Sequence, residues 1–360
     1  MSTLLYSDVE EDLRASVRQA LDRPAGGDAW RALATGIGCA GLAVPEEFGG
    51  AGASWREAAV VAEEVGRAAA PVPWLGSVLG TAALTTAAVG TAAVDTAAPL
   101  SAGARDLLPA VASGDLLAVL VLPLSTPPGA PVPATVRADG HALTGSVTTV
   151  ADAQGAGVLI VPTPDGLYAV DAAHAEQTPV TALDQTRPLS TVTFSSAQAT
   201  RLGDGAMAGA AWAAALRIGA AVLAGEQLGV AEWCLSSTVD YVKTRYQFAR
   251  PVGSFQAVKH RLAQLWVDVT QARAVARYAA GCVADDDPDA AVAASLAQAH
   301  CGPVAVRAAE ECVQLHGGIG FTWEHRAHWY LKRAKAAAIA LGTATQHRAA
   351  LGDLVSLPPN

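Results

Sequence analysis

The stretch Arg245-Tyr-Gln-Phe-Ala-Arg-Pro-Val-Gly-Ser-Phe-Gln256 concentrates cationic, aromatic and amide side chains in a chain that is otherwise rich in alanine, valine and leucine. A guanidinium such as that of Arg245 can bind two phosphate oxygens at once, and Phe248 offers an aromatic face. A second stretch, Val313-Gln-Leu-His-Gly-Gly-Ile-Gly320, adds the amide of Gln314 and a glycine pair that a ligand can approach closely. The two stretches together predict a binding surface for a large, flat, phosphorylated ligand such as a dinucleotide.

The overall composition excludes several classes of function. The chain has 360 residues, 51% of them hydrophobic, and its formal net charge is −9. An acidic protein is a poor partner for the nucleic-acid backbone. No run approaches the roughly 20 strongly apolar residues of a membrane-spanning helix, and the N-terminus leads directly into an amphipathic helix rather than a signal peptide. We therefore expect a cytoplasmic protein with no nucleic-acid partner and no membrane span.

The cysteines and histidines give no metal-binding pattern. The five cysteines are dispersed, without a CxxC pair, which is typical of reduced residues buried in the core. His325 and His328 stand three positions apart but lack a carboxylate partner, so no metal site is predicted. The cysteines are Cys39, Cys234, Cys282, Cys301 and Cys312.

Residues 1–112 are predicted to form a helical domain. Two serine–x–x–glutamate capping boxes mark helix starts. The first helix is expected to end at residues 24–27, which contain proline and glycine, and alanine-rich helical sequence extends to about Leu108. The capping boxes are Ser7–Glu10 and Ser54–Glu57.

The period of the apolar residues changes in the middle of the chain and then changes back. Residues 113–203 contain short β-branched runs separated by turn residues, the pattern of a small antiparallel barrel or sandwich. Helical periodicity returns over 204–360, in long segments that indicate an up-and-down bundle. The predicted strands are Leu116–Leu122, Ala142–Val150, Gly157–Val161, Leu167–Val170 and Thr191–Phe194. The last two helices are predicted at Trp323–Ala338 and Thr343–Val355.

This order of domains, together with its motifs, resembles the acyl-CoA dehydrogenase family over essentially the whole chain. Leu42-Ala-Val-Pro-Glu-Glu-Phe-Gly-Gly-Ala-Gly52 is similar to the loop of the family's N-terminal domain. Arg245-Tyr-Gln-Phe248 followed by Gly253-Ser-Phe-Gln256 resembles its R-x-Q-F…G-x-x-Q signature, and Gln314-Leu-His-Gly-Gly-Ile-Gly320 resembles its Q-x-x-G-G-x-G. The resemblance implies an α+β fold with an N-terminal helical domain, a small antiparallel β domain and a C-terminal bundle of long helices.

The resemblance also implies the ligand of the two motifs, which is FAD. In this family, whose members are generally dimers of dimers, these motifs contact the ADP half of the flavin of a neighbouring subunit. The alternative interpretation is that Arg245 only caps a helix and that Gly317-Gly318 only ends one. The residues expected to bind the cofactor are Arg245, Gln247, Phe248, Gln256, Gln314, Leu315, Gly317, Gly318 and Thr343.

The catalytic base of the family is missing from its usual positions. In the family a glutamate removes the α proton of an acyl-CoA while the β hydrogen leaves as a hydride to the flavin, so a carboxylate is required. Leu341 stands where most members have this glutamate, and Gly219 stands where a subset has it. Glu226, two helical turns along roughly the same face, is the remaining candidate for a displaced base. An interhelical ion pair is the alternative role for Glu226.

The elements that hold a subunit's own flavin ring depart from the family pattern as well. Leu122-Pro-Leu-Ser-Thr-Pro-Pro-Gly-Ala-Pro131 replaces a Thr-Glu-Pro…Gly-Ser-Asp run, and Gly145-Ser-Val-Thr-Thr-Val150 lacks the tryptophan of the flavin-stacking element. The groups lent to a neighbour's flavin are therefore present, whereas the groups that serve the chain's own flavin are largely lost.

Three hypotheses follow. In the first, the chain is the non-catalytic subunit of a heteromeric dehydrogenase, as in actinobacterial two-subunit enzymes for steroid side-chain CoA thioesters, and completes the partner's FAD site. In the second, it is a homotetrameric dehydrogenase that uses Glu226; in the third, it is an inactive structural or regulatory paralogue without flavin. The first two imply an acyl-CoA thioester and an electron-accepting flavoprotein as further partners.

Overall fold

The N-terminal part of the chain is helical. The computed structural model describes residues 4–22, 28–90 and 100–357. Both predicted capping boxes are confirmed, since the backbone N–H of Ser7 donates to Glu10 Oε2 at 2.6 Å and that of Ser54 donates to Glu57 Oε2 at 2.8 Å. The predicted end of the first helix at residues 24–27 lies outside the described residues. The helices are α1 (Asp8–Leu21), α2 (Ala29–Arg31), α3 (Trp55–Ala68), α4 (Trp74–Val89) and α5 (Ala102–Ala112).

The alanine-rich segment that was predicted to be helical to about Leu108 is divided. Helix α4 ends at Val89, where Gly90 takes a positive φ of 77°, and α5 begins after the serine cap at Ser101. Residues 91–99 lie outside the described part of the chain. Helix α2 continues into a π-helical turn, Ala32–Ile37, which ends at Gly38.

The middle part forms two four-stranded sheets around a shared apolar core. One sheet has the order β1-β4-β5-β8 and the other β2-β3-β7-β6. The strands are β1 (Ala118–Leu120), β2 (Val136–Asp139), β3 (Ala142–Ala151), β4 (Val158–Thr163), β5 (Gly166–Asp171), β6 (Glu176–Val180), β7 (Leu189–Gln198) and β8 (Thr200–Asp204).

The expected antiparallel β part is confirmed, with two refinements. Neighbouring strands are antiparallel except β1 and β4, which run parallel. Between these two strands the chain passes through β2 and β3, which belong to the other sheet. Strands β2, β6 and β8 were not predicted. They lie at sheet edges and carry mostly polar or half-exposed side chains, so they lack the apolar alternation that reveals a strand.

The C-terminal part is a bundle built on one 40-residue helix. Helix α9 begins four residues later than predicted, because a 3₁₀ turn, Gly317–Phe321, and the bends after it occupy the intervening chain. The elements are α6 (Gly205–Thr244), β9 (Tyr246–Gln247), β10 (Arg250–Pro251), α7 (Gln256–Ala284), α8 (Ala290–His316), α9 (Ala327–Ala337) and α10 (Ala344–Leu354).

Helix α6 is more apolar than expected for any segment of this chain. By length and composition it is apolar enough to cross a bilayer, with a mean hydropathy of 1.6 over its most apolar window. However, 78% of that window is buried inside the protein, as in the core helix of a globular fold. Alanine accounts for much of this hydropathy, which is why the sequence did not suggest a span. The five cysteines are all free and buried, as predicted.

Helices α3 and α6 approach each other closely through glycines. A Cβ on Gly229 would overlap the backbone oxygen of Glu63, and a Cβ on Gly66 would overlap that of Glu226. The main chains therefore touch where any larger residue would force the helices apart. This contact fixes the N-terminal domain against the bundle.

We predict that Gly229→Ala lowers the free energy of unfolding by about 1–3 kcal/mol, because the added methyl group overpacks the α3–α6 contact. Gly209→Ala is the matched control on the same helix, since no atom lies within 4 Å of the position of its Cβ. It should raise stability by up to about 1 kcal/mol through helix propensity. Urea denaturation of both variants measures the difference, and equal effects would contradict the close approach.

Candidate functional site

The first motif forms a tight hairpin at the end of helix α6. Strands β9 and β10 are joined by Phe248 and Ala249, whose φ angles are +52° and +60°. Positive φ at both central residues is the type I′ geometry that favours asparagine and glycine, so phenylalanine and alanine are strained there. The side chain of Phe248 is 88% exposed. Backbone strain that presents an aromatic ring to solvent indicates a binding role.

Arg245 caps helix α6 through its backbone and leaves its side chain unengaged. Its backbone N–H caps helix α6 by donating to Tyr241 O at 2.9 Å, and its carbonyl accepts from Val252 N at 2.8 Å. Its side chain is exposed, and the described part of the chain gives the guanidinium no partner. The neighbouring Arg250 instead packs over the ring of Phe255, 3.9 Å from its centroid, and supports the hairpin. Arg245 therefore has an exposed guanidinium that is available to a ligand at this end of the bundle.

The second motif lies at the same end. The ring of Tyr241, near the end of α6, stacks on His316, the last residue of α8, with centroids 4.4 Å apart. Gly317 follows with φ +64°, and a Cβ on Gly317 or Gly318 would meet no atom within 4 Å. Open glycine backbone of this kind leaves room for a ligand.

The structure thus brings together most of the predicted cofactor-binding residues on one exposed surface. Leu315 is half-buried and the others are exposed. Thr343 is the exception, because it lies on the turn before α10, where its hydroxyl and Gln346 form a capping box. The residues of this surface, called the motif surface below, are Arg245, Gln247, Phe248, Gln256, Gln314, Leu315, Gly317 and Gly318.

The two positions at which the resemblance places the family's base meet in space. A Cβ on Gly219 would lie 3.1 Å from Leu341 Cδ1 and 2.5 Å from Leu79 Cδ2. Leu341 is 1% exposed and has a positive φ of 54°. Both positions therefore lie in the same apolar contact, and neither carries a side chain that can accept a proton.

The proline-rich segment that replaces the family's flavin-holding run packs directly on this turn. The N–H of Leu341 donates to Leu124 O at 2.7 Å, and a Cβ on Gly342 would lie 2.8 Å from Pro128 Cδ. The cavity beside it, lined by Thr149 and Ile339 among others, measures about 230 Å³, below the range of about 300–1,000 Å³ usual for ligand sites. These residues do not fit a flavin ring held by this chain alone.

Glu226 is the centre of a buried ion-pair network. Its side chain accepts hydrogen bonds from Arg187 Nη2 and, at 3.0 Å, from Arg333 Nε. Burial alone raises the pKa of Glu226, but the two arginines outweigh it and hold the pKa below its usual range. A carboxylate with both oxygens bound by cations is a poor proton acceptor. The displaced-base hypothesis is therefore corrected in favour of the ion pair.

The partners in this network are not recognisable from the sequence. Arg187 lies 39 positions and Arg333 107 positions from Glu226, and no local pattern connects them. Arg333 Nη1 also donates to Ala70 O at 3.2 Å and to Thr186 Oγ1 at 2.6 Å. The network thus joins the N-terminal helices, the loop before β7, helix α6 and helix α9. In the sequence, the signal that could have pointed to this network was the low frequency of charged residues in such an apolar chain.

The arrangement of helical, β and long-helix parts is that of a flavin-dependent acyl-CoA oxidoreductase. Residues 7–97 match the acyl-CoA dehydrogenase N-terminal domain, and residues 209–355 match the C-terminal domain. The acyl-CoA dehydrogenase IpdE2 of Mycolicibacterium smegmatis is 36% identical over 330 residues, which cover 91% of this chain and 88% of that protein. The chain therefore belongs to the acyl-CoA dehydrogenase family, whose members act on CH–CH donors.

Two solved structures of two-component proteins resemble the chain over its full length. A variant of the Tcur3481–Tcur3483 steroid ACAD is 30% identical, with a TM-score of 0.80, and the match covers 98% of this chain and 99% of that one. The ChsE4–ChsE5 complex from Mycobacterium tuberculosis is 26% identical, with a TM-score of 0.81 and complete coverage of both chains.

We predict that Glu226→Gln destabilises the protein by about 3–5 kcal/mol at pH 7, because it leaves Arg187 and Arg333 buried without a counter-charge. Glu310→Gln, which breaks the exposed pair with Lys335, should cost less than about 1 kcal/mol. Urea denaturation at pH 7 compares the two variants.

The effect of Glu226 should depend on pH in one direction. Its pKa is lower in the folded protein than in the unfolded chain, so its contribution is present above the unfolded pKa and is lost as the pH falls through the folded pKa. The stability difference between the wild type and Glu226→Gln should therefore shrink on acidification. A difference that grew on acidification would contradict the ion-pair assignment.

Proposed function

We propose that this chain is the subunit of a heteromeric acyl-CoA dehydrogenase that completes the FAD site of a partner subunit without supplying the base. One contrast carries the proposal: the motif surface is exposed, with the guanidinium of Arg245 free, whereas Gly219 and Leu341 close on each other in an apolar contact. Groups that bind phosphate are kept, and the proton acceptor is lost. The chain acts on acyl-CoA thioesters only together with its partner.

The chemistry of the motif surface fits the ADP half of FAD. Arg245 offers paired N–H donors for a phosphate, Phe248 offers an aromatic face, and Gly317 and Gly318 offer open backbone. When bound, FAD supplies the hydride acceptor for α,β-desaturation. The residues of this chain bind and orient the nucleotide part, while the base belongs to the partner. Electrons leave the reduced complex to an acceptor flavoprotein, and we place the complex in the cytoplasm.

The similarity to chains of the Tcur3481–Tcur3483 and ChsE4–ChsE5 structures supports a two-subunit assembly over a homotetramer. A homotetrameric dehydrogenase would need Glu226 as its base, and the ion pairs with Arg187 and Arg333 disfavour that role. An inactive paralogue without flavin is the remaining alternative. Its motif surface would then serve no ligand, which the strained turn at Phe248 argues against. The acyl group of the substrate is a steroid side chain or a fatty acyl chain.

We predict that the chain purified alone carries little flavin, whereas co-expression with a catalytic acyl-CoA dehydrogenase partner subunit yields a complex with a single FAD per heterodimer. Arg245→Ala should weaken FAD binding by the complex about ten- to a hundredfold, as expected for a lost charge-assisted hydrogen bond. Flavin absorbance and fluorescence titration measure both effects.

The matched control is Arg137→Ala, which removes an exposed arginine of the middle domain and should leave FAD affinity unchanged. Full flavin occupancy of the chain alone, with bleaching on addition of acyl-CoA, would contradict the proposal and favour the homotetramer. A flavin-free complex without activity would favour the inactive paralogue.

A further inference from the structure

The segment that joins α8 to α9, residues 317–326, carries the two glycines of the motif surface and is called the glycine segment below. Most of its side chains lie in solvent, and Phe321 and Trp323 are 76% and 78% exposed. Gly320 is buried, and a Cβ there would lie 2.6 Å from Val313 O. A segment that buries so little apolar surface depends on a few contacts for its position.

Two stacked histidines connect the ends of the glycine segment. His316 is the last residue of α8, His325 lies near the start of α9, and the centroids of their rings are 4.2 Å apart. On its other side the ring of His316 stacks on Tyr241 of α6, at 4.4 Å. His316 is buried and His325 is half-buried. The stack therefore ties the end of the glycine segment to α8 and α6.

Hydrogen bonds fix the position of the proton on each ring. Nδ1 of His316 lies 2.7 Å from Cys312 O, and since a carbonyl only accepts, this Nδ1 carries the proton. Nδ1 of His325 instead accepts from the backbone N–H of Ala327 at 3.2 Å, so its proton is on Nε2. Ala327 is the first residue of α9, and His325 thus satisfies an N–H group that has no partner within that helix. A second proton on His325 would have to go to Nδ1 and would remove this bond.

The surroundings of His325 disfavour a positive charge on its ring. Burial lowers its pKa, the charges of His316 and His328 lower it further, and Cys312 acts in the opposite direction. The N-terminal end of α9 adds a partial positive charge of its own. The titratable and charged residues around the stacked pair are Tyr241 on α6, Cys312 on α8 and His328 on α9, with Glu324 and Arg326 beside His325 in the chain.

The two histidines respond differently to acid. Burial lowers the pKa of His316, but its hydrogen bonds with Cys312 outweigh burial and raise it. Cys312 lies on α8 itself, so His316 keeps these bonds whether or not the glycine segment is in place. His325 alone has a pKa that is lower in the attached segment than in the detached one. The attachment is therefore fully retained above the ordinary histidine pKa of about 6.5 and weakens as the pH falls below it.

We propose that His325 is a positioning residue that holds the glycine segment against α6 and α8 only while its imidazole is uncharged, so that acidification releases the segment and weakens the binding of FAD by the motif surface. The release requires this chain alone, whereas its effect on FAD rests on the proposed function. Two separate measurements therefore test the two parts.

Hydrogen exchange in the full-length chain without partner or flavin tests the release. The protection of backbone amides over residues 317–327, corrected for intrinsic exchange rates, should fall about three- to tenfold between pH 7.5 and pH 5.5. His325→Phe keeps an aromatic ring that cannot be protonated, and His325→Asn keeps an uncharged acceptor for the N–H of Ala327. Both variants should lose the pH dependence. His141→Asn removes an exposed histidine of the middle domain and should retain it.

Fluorescence titration of the heteromeric complex tests the effect on FAD. The affinity of the wild-type complex should fall about three- to tenfold over the same pH interval, and His325→Phe should remove this fall. Protection that is independent of pH in the wild type, or a pH dependence that persists in both variants of His325, would overturn the proposal. So would release of the segment without any change in FAD affinity. A complex that binds no FAD even at pH 7.5 would contradict the proposed function, and the exchange measurement would still decide whether His325 holds the segment.

Discussion

The ion pairs of Glu226 with Arg187 and Arg333 are the interaction on which the relative position of the domains depends. Each of these groups is almost fully buried, and burying any one of them alone would cost several kcal/mol. The charges compensate one another only when the loop before β7, helix α6 and helix α9 are all in place. Arg333 also donates a hydrogen bond to Ala70 O, so the network extends to the N-terminal helical part of the chain. The network therefore favours cooperative assembly and fixes helix α9, from which the Leu341 turn continues.

The two functional regions of the chain differ in how their polar groups are satisfied. At the Leu341 turn, the backbone N–H, the glycine and the apolar side chain all have partners within the chain. On the motif surface, the guanidinium of Arg245, the ring of Phe248 and the backbone of Gly317 face solvent. Clustered exposed aromatic and arginine side chains are typical of binding surfaces. The polar groups of the first region are satisfied within the chain, whereas those of the second are exposed to solvent.

Much of this organisation could be predicted from the sequence, because the informative signals are local. The capping boxes, the long α6 helix and the two glycine-containing motifs depend on residues a few positions apart. The edge strands β2, β6 and β8 could not be predicted, since their polar residues resemble loops. The partners of Glu226 depend on contacts between distant segments. Such contacts exist only once the helices have packed.

The meeting of Gly219 and Leu341 has an evolutionary consequence. A glutamate introduced at Gly219 would begin with a Cβ crowded by Leu79 and Leu341. A glutamate introduced at position 341 would place a carboxylate in a buried apolar contact, where the charged form is costly. A single substitution at either position is therefore disfavoured, and recovery of a base would need coordinated changes at both positions and around them. With this contact in place, a carboxylate base at this turn requires several substitutions at the same time rather than one.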